Sequence, residues 1–208
     1  MSTVTSDHDI LDPLDTETAQ PRLGDLWSVV LGASLAGIGF TVVQVLEKIT
    51  LLTDPGATLS CDFNDRVSCS DVLDAWQSSV LGPPNSVIGA IMFSLFASAA
   101  LGGFLGTRPS RSYAGTLWGL SVFFLVFATW FMAETAFSIR SLCPWCVGLT
   151  TAVVVITAAL TRIAHRTGVF GEGGFGGLVA RAVERRLDLA FWGAWWLAIG
   201  AMLLVGLT

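Results

Sequence analysis

Charge is what this sequence has least of. Only 13% of its 208 residues are Asp, Glu, Lys or Arg, against about 25% in soluble domains. Hydrophobic residues make up 53%, and the mean hydropathy is +0.69. That scarcity excludes an ordinary soluble domain and points to an all-α integral membrane protein. A basic surplus is also missing. The short arginine clusters flank apolar runs, so no nucleic-acid partner is expected and membrane lipid is. The N-terminus lacks the basic region and apolar core of a signal peptide. Asp7, Asp9, Asp12, Asp15 and Glu17 crowd it together with Pro13 and Pro21, so residues 1–24 read as a disordered cytoplasmic tail. The tract GEGGFGG lacks the Lys-Ser/Thr ending of a phosphate-binding loop and reads as a flexible linker within 162–188. No internal repeat is present. His8 and His165 fall away from the chemistry described below.

What charge there is punctuates the chain. Uncharged stretches run between Asp25 and Glu47, Asp74 and Arg108, Arg111 and Glu134, Arg140 and Arg162, and from Leu189 to Thr208. A helix needs roughly 20 apolar residues to cross the ~30 Å hydrocarbon layer. Five spans are therefore expected, near Leu26–Leu46, Ser86–Leu105, Tyr113–Ala133, Cys143–Thr161 and Leu189–Leu207, making residues 25–208 one membrane domain. Gly82, Pro83 and Pro84 delay the start of the second span. Eight of the eleven basic residues (Arg22, Arg108, Arg111, Arg162, Arg166, Arg181, Arg185 and Arg186) fall on one side, and Lys48, Arg66 and Arg140 on the other. The positive-inside bias puts the N-terminus in the cytoplasm and the C-terminus outside. The 47–85 loop is then extracytoplasmic, and 162–188 is a cytoplasmic Gly-rich linker. All four cysteines, Cys61, Cys69, Cys143 and Cys146, lie on the outer side, where disulfides persist.

Cys143 and Cys146 bracket Pro144 and Trp145 at the mouth of the fourth apolar run. Pro144 suits the first helical position, and residues three apart share a helix face. Free N–H groups at a helix start favour a thiolate. Cys61 and Cys69 lie in the polar stretch SCDFNDRVSCSDVL, where Asp62, Asn64 and Asp65 suggest turns. Three readings compete. Two structural disulfides are disfavoured because a Cys-x-x-Cys bridge closes too small a loop to stabilise much. A four-thiolate zinc site is disfavoured by the wide Cys61–Cys69 spacing, so no metal is expected. A relay between a membrane pair and a pair on a mobile loop, by thiol–disulfide exchange, is the favoured reading.

CDFNDRVSCS in the outer loop, PNSVIG opening the second span and CPWC opening the fourth together resemble the vitamin K epoxide reductase family, and within it the bacterial members without a fused thioredoxin domain. The resemblance covers about Leu26 to Thr161. It implies a four-helix bundle around a quinone of the menaquinone, ubiquinone or vitamin K type, with a fifth transmembrane helix added here. It implies a DsbB-like job in the bacterial plasma (inner) membrane: oxidising a separate, extracytoplasmic, DsbA-like thioredoxin-fold protein. By resemblance Cys146 is the thiol nearest the quinone and Cys143 its partner, Cys69 exchanges with Cys143, and Cys61 meets the reduced protein substrate. Asn85 matches a quinone-carbonyl contact. A Tyr of animal members is replaced by Thr150, which argues against epoxide reduction. The rivals are vitamin K epoxide or quinone reduction for its own sake, and a structural membrane protein with inert disulfides.

Several residues have a second reading. Asn85, after Pro84, would also serve as a helix cap. Glu134 is expected to reach the interface, with proton delivery as its minority role. Trp76 and Trp145 lie near the proposed site and are candidates to cover the quinone ring. The remaining tryptophans suit interfacial anchoring or bundle packing.

Overall fold

The computed structural model describes residues 22–171 and 173–207. The expected acidic tail lies outside the described residues, apart from Arg22, Leu23 and Gly24, and helix starts at Leu23. The described residues form seven α-helices: α1 Leu23–Thr53, α2 Cys69–Asp74, α3 Asn85–Phe104, α4 Arg111–Glu134, α5 Pro144–Arg166, α6 Gly174–Glu184 and α7 Leu187–Leu207. A 3-10 turn, Trp76–Ser79, follows α2, and a π-turn, Thr135–Ile139, extends α4. Among the described residues only isolated β-bridges occur, with no named strand. Among the described residues five helices, α1, α3, α4, α5 and α7, are long and apolar enough to cross a membrane.

The buried face of α1 carries the architecture. Leu26 is buried, and from Trp27 onward Val30, Ser34, Gly37, Thr41, Gln44, Glu47 and Leu51 recur three or four residues apart and are all buried, the spacing of a single helix face. The face changes character along its length. It is apolar at the start, small in the middle and polar near the end. The small residues let α3 approach closely: a Cβ on Gly37 would come within 2.5 Å of the Phe93 ring. Helix α1 packs on α3 and α5, and α5 packs on α4, whereas α3 and α4 stand apart. At 1.5 Å per residue, the 31 residues of α1 extend about 46 Å, well beyond the hydrocarbon. Its last turns therefore stand beside the loop that follows.

Helix α7 lies against α4, α5 and the π-turn. Trp195 Nε1 donates to Thr129 Oγ1 at 3.3 Å, and Trp196 Nε1 donates to Thr151 Oγ1 at 3.0 Å. Ile199 and Leu203 join the cluster that holds the four cysteines. The Gly-rich tract is not the flexible linker expected. Helix α5 runs on to Arg166, and α6 occupies Gly174–Glu184 directly before α7. Apolar Val179 and Val183, four apart, bring one face together while Arg181 and Arg185 occupy others; that pattern outweighs the glycines at the helix start.

Candidate functional site: two cysteine pairs at one end of the bundle

All four cysteines gather at the end of the bundle formed by the C-terminus of α1, the N-termini of α3 and α5, and the connection from α4 to α5. Cys61 and Cys69 form a disulfide, while Cys143 and Cys146 are free and buried. Cys69 Sγ lies 3.2 Å from Cys143 Sγ, within the ~3–3.5 Å of a near-attack arrangement.

Backbone structure sets that distance. The loop expected to be mobile is tied to the segment entering α5. Leu142 N donates to Arg66 O at 2.8 Å, Ser68 N donates to Leu142 O at 3.1 Å, and Ser141 Oγ donates to Ser68 O at 3.3 Å. Each such bond contributes about 0.5–1.5 kcal/mol, and together they fix register. The residue after Ser68 is Cys69 and the residue after Leu142 is Cys143, so the bridge between Val67 and Leu142 sets the sulfurs facing. Arg140, in the left-handed region at φ 59, ends the π-turn and reverses the chain into this bridge. Both cysteines then sit at helix starts. Ser68 caps α2, accepting from Asp71 N at 3.3 Å. Cys143 is the N-cap of α5, with Pro144 behind it in the first turn.

Asp62 organises the loop around its disulfide. Its carboxylate accepts from Leu59 N at 2.8 Å, Ser70 N at 3.0 Å and Ser68 Oγ at 3.2 Å, spanning both cysteines. Partial burial works to raise its pKa, but the hydrogen bonds from Ser70, Leu59 and Ser68 outweigh this and hold it below the ordinary carboxylate value. Cys61, expected at the loop's outer reach, is only 2% exposed. It is covered because the loop folds back on α1. Its neighbour Phe63 is 70% exposed.

Two site residues were not singled out in the sequence, and both come from the polar end of the α1 face. Gln44 donates its side-chain amide to Cys146 Sγ at 3.2 Å and lies 4.0 Å from Cys143 Sγ. Glu47, buried, places both carboxylate oxygens 3.6 Å from Cys61 Sγ and accepts a hydrogen bond from Ser60. Glu47, Cys61 and Cys69 have ligand atoms within 4.8 Å of one another. With both sulfurs in the disulfide, this group offers carboxylate oxygens and no thiolate to a metal.

Cys146 opens on an apolar cavity. Phe124, Phe127 and Phe131 of α4 line one side, and Ile88 and Gly89 of α3 the other, between the two helices that stand apart. Its polar lining includes Gln44, Lys48, Asn85 and Thr150. Lys48 Nζ donates to Leu73 O at 2.7 Å. Asn85 is not a cap: Pro84 holds that position, and Asn85 is the first residue of α3. Its Nδ2 donates to Gln77 O at 2.7 Å, and its buried Oδ1 has no hydrogen-bond partner.

The tryptophans do not cover this cavity. Trp76 is 67% exposed on the 3-10 turn, which turns it outward. Trp145 packs on Phe40, with centroids 6.0 Å apart, because it follows Pro144 and faces α1; neither residue lines the cavity. Glu134 is half-buried and accepts from Gln77 Nε2 at 3.1 Å, so it braces the 3-10 turn.

No curated protein matches the chain. The model of the vitamin K epoxide reductase family matches residues 28–162, a stretch containing all four cysteines, Asn85 and the four bundle helices almost entirely. The chain therefore belongs to the vitamin K epoxide reductase family and is a multi-pass membrane thiol oxidoreductase.

Proposed function

We propose that the protein is a quinone-dependent thiol oxidase that makes disulfides in an extracytoplasmic, DsbA-like thioredoxin-fold partner. The observation carrying this reading is the continuous line from the loop disulfide, across 3.2 Å to Cys143, and on to Cys146 in the cavity wall. A loop disulfide beside a reduced Cys143–Cys146 pair is the state left when the loop has passed two electrons inward. Partner thiols attack at Cys61 after local loop movement, with exposed Phe63 beside it as an apolar contact for the partner. Cys69 then passes the electrons to Cys143 by exchange.

The cavity residues fit a quinone. The walls are largely apolar, as ligand sites are. Asn85 retains a second N–H for a carbonyl and an unpartnered Oδ1 for a hydroxyl. Lys48 adds a cation to the lining. A bound quinone would supply a two-electron, two-proton acceptor. The separation of α3 and α4 favours entry from the lipid. The positive-inside bias of Arg22, Arg108, Arg111, Arg162, Arg166, Arg181, Arg185 and Arg186 favours an extracytoplasmic cysteine end in a bacterial plasma membrane.

The test is anaerobic quinone absorbance after adding a reduced thioredoxin-fold dithiol protein to the purified chain. Quinone should be consumed as partner disulfide appears, one for one. Quinone or epoxide reduction with small dithiols only, and none with the protein dithiol, would favour the reductase reading. No turnover with any dithiol would leave only a structural role.

A further inference from the structure

Glu47 is a carboxylate buried at the extracytoplasmic end of a membrane helix, an expensive place for a charge. Packing alone does not call for it there, since an apolar side chain would fill the same face of α1. Both its oxygens lie at 3.6 Å from Cys61 Sγ. In the disulfide Cys61 carries no proton, so this is a contact. Once the loop is reduced, the same geometry is a thiol donating to a carboxylate.

The relay contains one step that needs such a group. After Cys69 has attacked Cys143, the two are joined, and Cys61 must displace Cys143 from Cys69. The attacking species is the thiolate, whereas an ordinary thiol, with a pKa near ~8.5, is mostly protonated at neutral pH. We infer that Glu47 is the general base of this resolving step, an inference that rests on the relay proposed above. The Cys61 thiol gives its proton to Glu47 as the Cys61–Cys69 bond forms. The Cys69–Cys143 bond breaks, and Cys143 leaves with the electron pair as a thiolate. The loop is oxidised by two electrons and the Cys143–Cys146 pair is reduced by two, with no other oxidant. Glu47 then releases the proton to solvent beside Ser60, which is exposed and hydrogen-bonded to it. In the reverse direction the same carboxyl protonates Cys61 as it leaves.

The experiment uses the full chain in detergent, with dithiothreitol as donor and menadione as acceptor. Samples are quenched in acid during turnover and read by non-reducing peptide mass spectrometry. Glu47→Gln should slow turnover by about 100-fold, the usual scale for general-base loss, and should accumulate the Cys69–Cys143 link. The deficit should shrink as pH rises toward ~8.5, where Cys61 ionises unaided. Wild-type link levels in Glu47→Gln, or a deficit that stays constant with pH, would each overturn the role. Should Glu47→Gln not fold, Glu47→Asp, which withdraws the carboxylate from Cys61, must also raise the link; wild-type levels there overturn the role equally. Cys61→Ser separates this from the underlying relay. It must hold Cys69–Cys143 whatever Glu47 does, and absence of the link there overturns the relay and the base together.

Discussion

The two cysteine pairs are close in space and opposite in surroundings. Cys61–Cys69 is oxidised and lies in a loop held by hydrogen bonds to Asp62, with a buried carboxylate at one sulfur. Cys143 and Cys146 are reduced, sit at the start of a membrane helix, and have Gln44 as polar neighbour with an apolar cavity beyond. Closing the loop between Cys61 and Cys69 is worth roughly 2.5 kcal/mol by chain entropy, and Cys-x-x-Cys closure is worth less. The difference is that the loop pair has a carboxylate against one sulfur, whereas the helix pair has a neutral amide and an apolar cavity beside it. Each pair has one sulfur facing the other pair, Cys69 and Cys143; of the remaining two, Cys61 lies against Glu47 and Cys146 lines the cavity.

Removing either facing sulfur should break the comparison most completely. Cys69→Ser or Cys143→Ser leaves no path between the pairs, so turnover should fall to the assay floor. Cys69→Ser should also leave Cys61 joined to the thiol substrate, read as a mass adduct. Retained turnover in either variant would mean that the loop pair is bypassed.

Gln44→Leu keeps the size of the side chain and removes the N–H donor to Cys146. A hydrogen bond to a charged group is worth about 1.5–3 kcal/mol, so steps that develop a Cys146 thiolate should slow about 10- to 150-fold. Stopped-flow measurement of Cys143–Cys146 reduction reads this directly, and the Cys61–Cys69 bond should still form. An unchanged rate would make Gln44 a packing residue.

Asn85→Ala is a smaller change on the cavity side. Losing one hydrogen bond at about 0.5–1.5 kcal/mol should raise the apparent quinone KM roughly 2- to 13-fold, with loop disulfide formation unaffected. An unaltered KM would confine Asn85 to holding Gln77 O.

The smallest effect is expected from acid. The Asp62 pKa is depressed in the folded loop, so its contribution to loop order is fully present above the ordinary carboxylate value of ~3.9. It is lost only as pH falls through the lower folded value. Hydrogen exchange at the Ser70 and Leu59 amides should stay protected at neutral pH and open only in strong acid. Asp62→Asn should open them at neutral pH, and equal protection in that variant would assign the loop's order to its backbone bridge alone.

Much of this was readable from residue order. The five spans follow from runs without charge, and Pro144 marked the start of α5. Gln44 and Glu47 were hidden because a polar residue near the end of a span looks the same whether it faces lipid headgroups or a folded loop. The signal was present in their spacing, since both continue the Trp27–Ser34–Thr41 face. The outward turn of Trp76 depends on the 3-10 turn, and the burial of Cys61 on how the loop folds back on α1, neither of which a local pattern encodes. Helix α6 was masked by its glycines, although Val179 and Val183 already followed helical spacing.

The central claim is that Cys69, and not Cys61, hands electrons to Cys143. The most direct measurement is acid-quenched, non-reducing mass spectrometry of Cys146→Ser, in which Cys143 has lost the partner that would release it. The account predicts a Cys69–Cys143 peptide pair with Cys61 left as a free thiol. A Cys61–Cys143 pair, or no link between the two pairs, would contradict it.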